Sequence, residues 1–374
     1  MNVVTIGSDR KLLAEGSEVR ERISNYGTLV ERLDVLLYDG HFFGVSEEII
    51  QISPNTFVHP RSLFGIFCLF RTGKLSFLLN HKVFLISTQD PFWFGFIGWL
   101  FSKWLHIPLH VQVHTDFLNP HFARESFANK IKVRVAKRIL AKADGIRVVS
   151  DCIKESINKK ILTKVIPNVL PVWVDVERFK NAQPNGYFKE RHQSSNHIFL
   201  MASRLTKEKN IPMAIYAMAE LVKRHKDALL VILGEGPEEG NLKKLVEKLK
   251  LSKYVVFENW TDDLPSFYKS ADVFLLTSNY EGYGRTIVEA LASGTPVIST
   301  RVGCAGNLIR QKENGMTIPV GDVSMLYGAM LRYIEDGNFR NSLLEHMAKN
   351  PIKLPTKKEY LAAYKEDWDR VPQK

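Results

Sequence analysis

The sequence is poor in cysteine, in long apolar runs and in clustered metal ligands, and each shortage excludes a class of protein. Its three cysteines, Cys68, Cys152 and Cys304, are scattered and lack CxxC spacing. Neither a disulfide framework nor a zinc site is therefore predicted, and we expect reduced, buried thiols. The longest uncharged apolar stretch, residues 91–102, is shorter than the roughly 20 residues of a membrane-spanning helix. The first residues lack the charged segment, apolar core and cleavage site of a secretory signal, which predicts a cytoplasmic protein.

Positive charge exceeds negative charge: 51 Lys and Arg residues face 40 Asp and Glu residues, a net charge of +11. Such an excess favours an anionic partner, and nucleic acid, phospholipid headgroups and phosphorylated metabolites all qualify. The sequence has neither a zinc-finger spacing nor an aromatic RNA-recognition motif. We therefore expect no nucleic acid as a partner.

Apolar runs of strand length alternate with amphipathic helical stretches in both halves of the chain, the pattern of parallel sheets covered by helices. The predicted strands are residues 3–6, 35–37, 83–86, 109–113 and 145–149, and then 198–202, 229–233, 255–258, 273–276 and 296–299. A polar stretch with Pro and Gly, residues 180–196, is typical of a linker. We predict two Rossmann-like domains, because the 374 residues are too many for one ordinary core.

The end of the chain, residues 356–370, is predicted to form an amphipathic helix. Its apolar side is formed by Tyr360, Leu361, Tyr364 and Trp368. Asp367 and Asp369 have the spacing of a metal-binding pair, but no acidic loop lies nearby in the sequence. A solvated face is the better interpretation of that pair.

The segment SRLTKEKN places Arg204 and Lys209 directly after the predicted strand 198–202. Arg binds two phosphate oxygens at once and Lys supplies a compact charge, so the pair suits a diphosphate at the carboxyl edge of a sheet. A solvated basic loop explains the same residues equally well, because exposed charges are the norm.

The segment LGEGPEEG resembles a dinucleotide fingerprint, but its glycines at 234, 236 and 240 are one position off the G-x-G-x-x-G spacing. It also lies in the second half of the chain and not after the first strand. This excludes hydride transfer. A glycine turn that lets the backbone approach a nucleotide stays open.

The segment SNYEGYGRTIVEALASGTPVIST places Glu281 before a turn with glycines at 282 and 284, and Glu289 inside a helix predicted from about Thr286. A helix that starts after a strand offers free N–H groups and a positive dipole end to an anion. A structural interpretation competes with this one. Residues 286–289 fit the capping box S/T-x-x-E, and Glu281 would then be a solvated loop acid.

The segment HVQVHTDF places His114 and Asp116 at the end of a strand in the first half. At that position they could face the second domain across a cleft. A lone histidine at a strand end is more often structural.

Together these segments, with VIPNVLPVWVDVERF before them, resemble glycosyltransferase family four, whose members are retaining enzymes that use sugar nucleotides. The likeness is nearly continuous from about residue 144 to residue 335. It implies an α/β GT-B fold, with two Rossmann-like domains whose parallel sheets face a cleft and a C-terminal helix that crosses back to the N-terminal domain. The implied parts are an acceptor-binding domain over 1–174, a donor-binding domain over 175–355 and the returning helix over 356–374.

The resemblance also implies roles for individual residues. Arg204 and Lys209 would hold the donor diphosphate, Glu281 the transferred sugar and Glu289 the ribose, while His114 would approach the sugar from the N-terminal domain. The implied catalytic set is His114, Glu281, Arg204 and Lys209, and the implied donor-binding set is Arg204, Lys209, Gly234, Gly282, Tyr283, Gly284, Arg285, Thr286 and Glu289.

The acceptor side follows the family less closely, because GSDRKLLAEGSEV replaces the usual glycine-rich loop after the first strand. The residues expected to border the cleft there are Gly7, Arg10, Lys11 and Asp116.

The implied activity is transfer of a hexose-type sugar from a nucleoside-diphosphate sugar to a hydroxyl of a glycan or lipid-linked acceptor, in cell-surface polysaccharide or glycolipid synthesis. No essential metal or other cofactor is expected. Two alternatives are a sugar-nucleotide epimerase or hydrolase of the same fold, and a non-catalytic subunit that binds sugar nucleotides.

The segment NKIKVRVAKRILAKAD predicts a basic amphipathic helix. Lys130, Arg134, Lys137 and Arg138 gather on one side, while Ile131, Val135 and Ile139 line another. This pattern favours reversible association with an anionic membrane surface, to which Trp99, Phe101 and Trp104 would add apolar contact. An ordinary surface helix packed on a sheet has the same pattern.

Overall fold

The computed structural model describes residues 1–38, 49–61, 83–186, 190 and 195–372. These residues divide into two compact units, one made of Met1–Pro171 with Pro355–Lys374 and the other of Val172–Leu354. Cys68 and part of the predicted linker lie outside the described residues.

The first unit is built on one twisted sheet. Its strands are β1 Asn2–Gly7, β2 Arg32–Tyr38, β3 Ile50–Ser53, β4 Thr56–Arg61, β5 Val83–Thr88, β6 Leu109–Val113, β7 Gly145–Val148 and β8 Asn168–Val169. They lie in the order β3-β4-β2-β1-β5-β6-β7-β8, and every pair is parallel except β3 with β4. Parallel neighbours need crossover connections, which explains why helices separate most of these strands in sequence.

Helices cover this sheet, and all of them except α2 begin at side-chain caps. They are α1 Glu18–Gly27, α2 Trp93–Leu105, α3 Pro120–Glu125, α4 Phe127–Leu140 and α5 Asp151–Lys160. Ser17, Ser126 and Ser150 each accept a hydrogen bond from a backbone N–H of the first turn, so α1, α4 and α5 start where an N-cap serine stands. No helix in the described part of the chain is long and apolar enough to cross a membrane.

The C-terminal helix, Lys357–Asp369, returns to the first unit, as the resemblance implied. It opens with a capping box formed by Thr356 and Glu359. Tyr360, Tyr364 and Trp368 are buried, which confirms the predicted apolar side. Tyr364 stacks on Tyr26 of α1, with ring centroids 4.0 Å apart.

The prediction of a solvated face at Asp367 was wrong. Asp367 is buried, accepts a hydrogen bond from Asn168 Nδ2 (2.7 Å) and lies 3.1 Å from Nε2 of the buried His110. The residue follows Tyr364 by three positions, so it shares the side of the helix that faces the sheet. Asp369 does face solvent, where it pairs with Lys365.

The second unit has a wholly parallel sheet. Its strands are β9 His197–Ala202, β10 Ala228–Leu233, β11 Val255–Glu258, β12 Val273–Leu276, β13 Val297–Thr300 and β14 Gly315–Ile318. The order is β11-β10-β9-β12-β13-β14. The strand order reverses between β9 and β12, and ligands of open α/β sheets bind at the carboxyl ends of the strands at such a point.

The helices of the second unit bury the apolar strands on both faces, as parallel sheets require. They are α6 Val176–Lys180, α7 Ile211–Leu221, α8 Glu239–Lys248, α9 Leu264–Ser270, α10 Arg285–Ala292, α11 Ala305–Leu308, α12 Val323–Glu335 and α13 Gly337–Lys349. Met218 of α7, Leu230 of β10 and Met330 of α12 belong to one continuous buried cluster, which makes the sheet a rigid base for the loops at its edge.

Candidate functional site

An ion pair lies at the carboxyl edge of the second sheet. Lys209 Nζ is 2.6 Å from Glu281 Oε1, and the two side chains are 16% and 11% exposed. Ser278 Oγ donates a hydrogen bond to the same carboxylate oxygen over 2.7 Å. Glu281 is therefore a fixed, largely buried carboxylate, and its interpretation as a solvated loop acid was wrong.

Hydrogen bonds between two loops hold this pair in place. The first loop follows β9 and ends in a short 3₁₀ helix, Lys207–Lys209. Thr277, just after β12, donates to the carbonyls of Lys209 (2.9 Å) and Asn210 (3.1 Å). The backbone N–H of Asn279 donates to the carbonyl of Glu208 over 2.8 Å. The strand reversal thus brings Lys209 next to Glu281, although 71 residues separate them in sequence.

Arg204 lies in the same loop but outside this cluster. Its side chain is 79% exposed and pairs with Glu208 at 3.5 Å. An exposed pair of this kind contributes little to stability. The guanidinium group is therefore accessible to an anion. The two cations differ in burial, since Arg204 is exposed in a long, weak pair and Lys209 is largely buried in a short one.

Gly234 lies where β10 ends and has φ +146°. A Cβ atom built there would be 1.9 Å from the carbonyl oxygen of Ser203, so a side chain at this position would collide with the loop that follows β9. At Gly236 the nearest such atom is the carbonyl oxygen of Leu205, at 2.5 Å. These glycines allow the two loops to pack against each other.

Helix α10 begins at Arg285, and its N-cap is Gly284 in the left-handed conformation (φ 87°), without a side-chain cap. The predicted capping box over residues 286–289 was therefore wrong. Glycine adopts the left-handed conformation without strain, so the chain enters the helix before Thr286, which lies within the first turn and cannot serve as N-cap. The first-turn amides have no side-chain partner of that kind, an arrangement that favours an anion.

Glu289 is a buried carboxylate inside α10. Tyr268 Oη donates to its Oε2 atom over 3.0 Å, and Arg285 Nε lies 2.8 Å from its Oε1 atom. Burial, and then the charge of Glu289, raise the pKa of Tyr268, so the phenol stays protonated and acts as a donor. Tyr268 was missed in the sequence, because nothing in its local pattern indicates a contact with α10.

The loop that follows β13 packs on the turn formed by residues 282–284. The backbone N–H of Cys304 donates to the carbonyl of Tyr283 over 2.7 Å, and a Cβ atom at Gly303 would be 2.3 Å from that same carbonyl oxygen. Burial raises the pKa of the Cys304 thiol, which agrees with the prediction of a reduced, buried cysteine. Cys152 is also reduced but only half-buried, so the prediction of burial was wrong for that residue. Gly303 was also missed, and a glycine directly after a strand is the signal that could have indicated it.

In the first unit, His114 directly follows β6 and is exposed. Its Nε2 atom lies 3.3 Å from Gln112 Oε1. The residue keeps an exposed surface, but its ring is partly enclosed beside the buried Gln112. Desolvation of the ring, and then the positive charges of Arg147 and Arg22, lower the pKa of His114. The imidazole is therefore neutral at pH 7.

The other residues expected on the acceptor side occupy different environments. Gly7 ends β1, where a Cβ atom would collide with Oε1 of Gln89 at 2.2 Å. Arg10 and Lys11 are exposed and open a short 3₁₀ helix. Asp116 is buried, and desolvation raises the pKa of its carboxyl group.

Among the residues that the structure describes, no three His, Cys, Asp or Glu side chains gather in a way that could hold a metal ion. The ion pairs at the edge of the second sheet include those formed by Arg204, Glu208, Lys209, Glu281, Arg285 and Glu289.

Two family models match the chain. The model described as Glycosyltransferase Family 4 matches residues 30–178, and the model described as Glycosyl transferases group 1 matches residues 183–350.

A characterised relative is similar in sequence to part of the chain. An alpha-monoglucosyldiacylglycerol synthase from Streptococcus pneumoniae is 28% identical over 247 residues, which are 63% of this chain and 56% of that protein. The chain thus spans about half the length of this curated relative.

Solved structures share the fold over nearly the whole length. Sucrose-phosphate synthase from Thermosynechococcus elongatus has a TM-score of 0.79 at 18% identity, with 99% of each chain covered. HepE from Anabaena, in complex with UDP-glucose, has a TM-score of 0.73 at 19% identity, with 98% of this chain and 97% of HepE covered. With its two parallel-sheet units, its returning C-terminal helix and its two matching family models, the chain has the GT-B fold and belongs to glycosyltransferase family 4.

Proposed function

We propose that this protein transfers a hexose-type sugar, with retention of configuration, from a nucleoside-diphosphate sugar to a hydroxyl of a glycan or lipid-linked acceptor, in cell-surface polysaccharide or glycolipid synthesis. The observation that carries the proposal is the Lys209–Glu281 pair beside the glycine turn that opens α10. The UDP-glucose complex of HepE supports a sugar-nucleotide donor, and the name of the pneumococcal synthase supports a glycolipid product.

Departure of the diphosphate is the step that most needs stabilisation, because negative charge accumulates on the leaving phosphate oxygens. Lys209 and Arg204 would bind its oxygens, and the first amides of α10 would add their dipoles. Lys209 and the amides of α10 are fixed by the loops before the reaction begins, so little reorganisation of these groups is needed as the charge develops, whereas the exposed Arg204 has to close onto the diphosphate. The proposed mechanism therefore requires no metal ion.

The contacts of Glu281 favour a role in binding over a role as nucleophile. Its Oε1 atom already receives hydrogen bonds from Lys209 and Ser278, which reduces its tendency to attack. In the proposed step the acceptor oxygen bonds to the anomeric carbon on the face from which the diphosphate leaves. The C–O bond to the diphosphate breaks, and the acceptor proton passes to the departing phosphate oxygen.

A panel of uridine, guanosine and adenosine diphosphate sugars tests the function. At least one of them should raise the melting temperature and be consumed when an acceptor is supplied. Rapid consumption of the donor without any acceptor product would contradict the transferase and indicate an epimerase or hydrolase. The absence of a thermal shift with every donor would instead indicate a non-catalytic protein.

Glu289→Gln should weaken binding of the preferred nucleoside diphosphate by about ten- to hundredfold, because hydrogen bonds between the Glu289 carboxylate and the ribose hydroxyls would be charge-assisted. Glu289→Gln and the unmodified protein should bind the 2′,3′-dideoxy form of the nucleotide with equal affinity, because that ligand lacks the ribose hydroxyls. Isothermal titration with both ligands measures the difference.

Glu239→Gln is the matched control, because Glu239 forms the same kind of i,i+4 pair, with Lys243, on the exposed helix α8. It should leave both affinities unchanged. If Glu289→Gln lowers the melting temperature but leaves both affinities normal, Glu289 has a structural role alone.

The helix α4 carries the surface proposed to meet a membrane. Lys130, Arg134, Lys137 and Arg138 are all exposed, while Ile139 is buried. The neighbouring helix α2 packs on α4. We therefore propose that the protein binds reversibly to the cytoplasmic face of an anionic membrane.

The aromatic part of this surface differs from the prediction. Phe101 is 1% exposed and belongs to the core, because it lies on the side of α2 that faces the sheet, so its predicted contact with lipid was wrong. Trp99 is half-buried, with Lys142 Nζ 3.9 Å from its ring centroid. Trp104 is exposed, and so is Phe127 at the start of α4, which would add apolar contact with lipid and was missed in the sequence analysis.

Replacing Lys130, Arg134, Lys137 and Arg138 together by Gln should lower the affinity for anionic vesicles at least about tenfold, since each cation near an anionic surface contributes about 1 kcal/mol. Sedimentation with vesicles of phosphatidylcholine, with and without phosphatidylglycerol, measures the loss. The control removes four exposed lysines of the second unit, Lys180, Lys223, Lys243 and Lys349, and changes the net charge by the same amount. Equal loss in both variants, or no binding by the unmodified protein, would refute a specific surface.

A further inference from the structure

A row of buried polar side chains crosses the first sheet beneath the C-terminal helix. Ser87 of β5 pairs in register with His110 of β6, and Gln112 of β6 pairs with Arg147 of β7. All four are buried. The faces of a parallel sheet are normally apolar, so a polar row at this place calls for a specific set of partners.

Arg147 is the centre of this row. Its Nη1 atom donates to Gln112 Oε1 (2.7 Å), and its Nε atom donates to the carbonyl of Leu170 (3.2 Å). Its Nη2 atom donates to the carbonyl of Pro171 (3.1 Å) and to Tyr360 Oη of the C-terminal helix (3.0 Å). With four acceptors, the guanidinium group has one orientation.

That orientation decides which way the amide of Gln112 points. A guanidinium group has no acceptor, so the Gln112 atom that faces Arg147 is the oxygen. The Gln112 Nε2 atom donates in turn to Ser87 Oγ (3.1 Å), and Tyr364 Oη donates to Gln112 Oε1 (3.3 Å). The amide is thus held from both ends.

His114 Nε2 lies 3.3 Å from that same oxygen, which only accepts hydrogen bonds. We propose that Gln112 is a positioning residue that holds His114 as the tautomer protonated at Nε2, so that Nδ1 presents a lone pair to a hydroxyl of the substrate. The substrate part of this inference rests on the proposed function.

The charges near His114 favour the neutral ring. Arg147 and Arg22 both disfavour a protonated imidazole. Burial raises the pKa values of Tyr26 and Tyr364, the latter to about 12, so these phenols carry no compensating negative charge at neutral pH. His114 would therefore accept a hydrogen bond from a hydroxyl and would not serve as a proton donor.

Long-range ¹H–¹⁵N correlation spectra of the full-length protein with ¹⁵N-labelled histidine test the proposal directly. The resonances of His114 are assigned by their loss in His114→Ala. At pH 7.5 the ring should show a protonated Nε2 and a bare Nδ1 in the free protein. A protonated Nδ1 in the unmodified protein would overturn the proposal without any variant of the network.

Two variants separate positioning from packing. Gln112→Met removes the acceptor and should give a mixture of tautomers, whereas Tyr364→Phe removes a different donor to the same oxygen and should keep the Nε2–H form. Gln112→Met should also lower kcat about tenfold while nucleoside diphosphate affinity stays unchanged, since the loss of one hydrogen bond of about 1.4 kcal/mol corresponds to that factor. An unchanged ring spectrum, or an unchanged kcat with a changed spectrum, would overturn the positioning role. Because the spectrum needs no substrate, this tautomer can be established even if the protein transfers no sugar.

Discussion

Glu281→Gln should lower kcat at least about a hundredfold, which is the scale observed when a preorganised polar group of an active site is removed. The variant keeps the shape of the side chain and an oxygen that Ser278 and Lys209 can still reach, but it loses the negative charge that would meet the sugar and the positive charge developing at its anomeric carbon. Stopped assays at saturating donor and acceptor give kcat. Thermal unfolding reports the cost of the broken ion pair, which should be modest because its atoms stay hydrogen-bonded.

The control for this result is Glu313→Gln in the same unit. Glu313 pairs with Arg310 at 3.6 Å and with His346 at 3.3 Å, before β14 and away from the proposed site. It should leave kcat unchanged. A normal kcat in Glu281→Gln together with a large loss of stability would show that the Lys209–Glu281 pair only supports the fold.

Arg204→Met and Lys209→Met should each weaken nucleoside diphosphate binding by about ten- to hundredfold, because charge-assisted contacts contribute roughly 1.5 to 3 kcal/mol each. The structure predicts an order between them. Lys209→Met also leaves the carboxylate of Glu281 without its cation, so repulsion adds to the loss, whereas the contribution of the exposed Arg204 is screened by solvent. The larger effect should therefore belong to Lys209.

Titration calorimetry at two salt concentrations measures this order, and the loss caused by Arg204→Met should shrink at high salt. Lys243→Met, which removes an exposed lysine of α8, is the control for net charge. A chelator should leave binding and activity largely unchanged. Activity that disappears with EDTA and returns with magnesium or manganese would contradict the proposed metal-free binding of the diphosphate by Arg204 and Lys209.

Most of the sheet could be predicted from the sequence, because a buried parallel strand is a continuous apolar run. All ten predicted strands are present among the described residues, with ends shifted by a few residues at most. The missed strands lack that signal. The strand β4 contains His59 and Pro60, and β8 has two residues. The strands β3 (IQIS) and β14 (GMTI) interrupt their apolar residues with polar or small ones.

The site was predicted less completely, because its contacts join residues far apart in sequence. The residue types at 204, 209, 281 and 289 indicated anion chemistry, but the pairing of Lys209 with Glu281 follows from the strand reversal and the hydrogen bonds of Thr277. The predicted start of α10, about Thr286, lies one residue from the observed start, but the capping box was wrong because Gly284 is the N-cap. Asp367 was placed in solvent because its buried partners, His110 and Asn168, could not be identified locally.

The four hydrogen bonds of Arg147 also affect the order in which the two units can fold during translation. The first unit starts the chain, yet the phenol that completes the shell of Arg147 comes from Tyr360, after the whole of Val172–Leu354. Until residues 357–369 have been synthesised, the polar row of the first sheet stays open to water, whereas the second unit already has all its strands. The second unit, whose translation begins later, is therefore the one that can fold first. Nascent chains halted before Lys357 should protect the amides of β9 to β14 from hydrogen exchange better than those of β6 and β7.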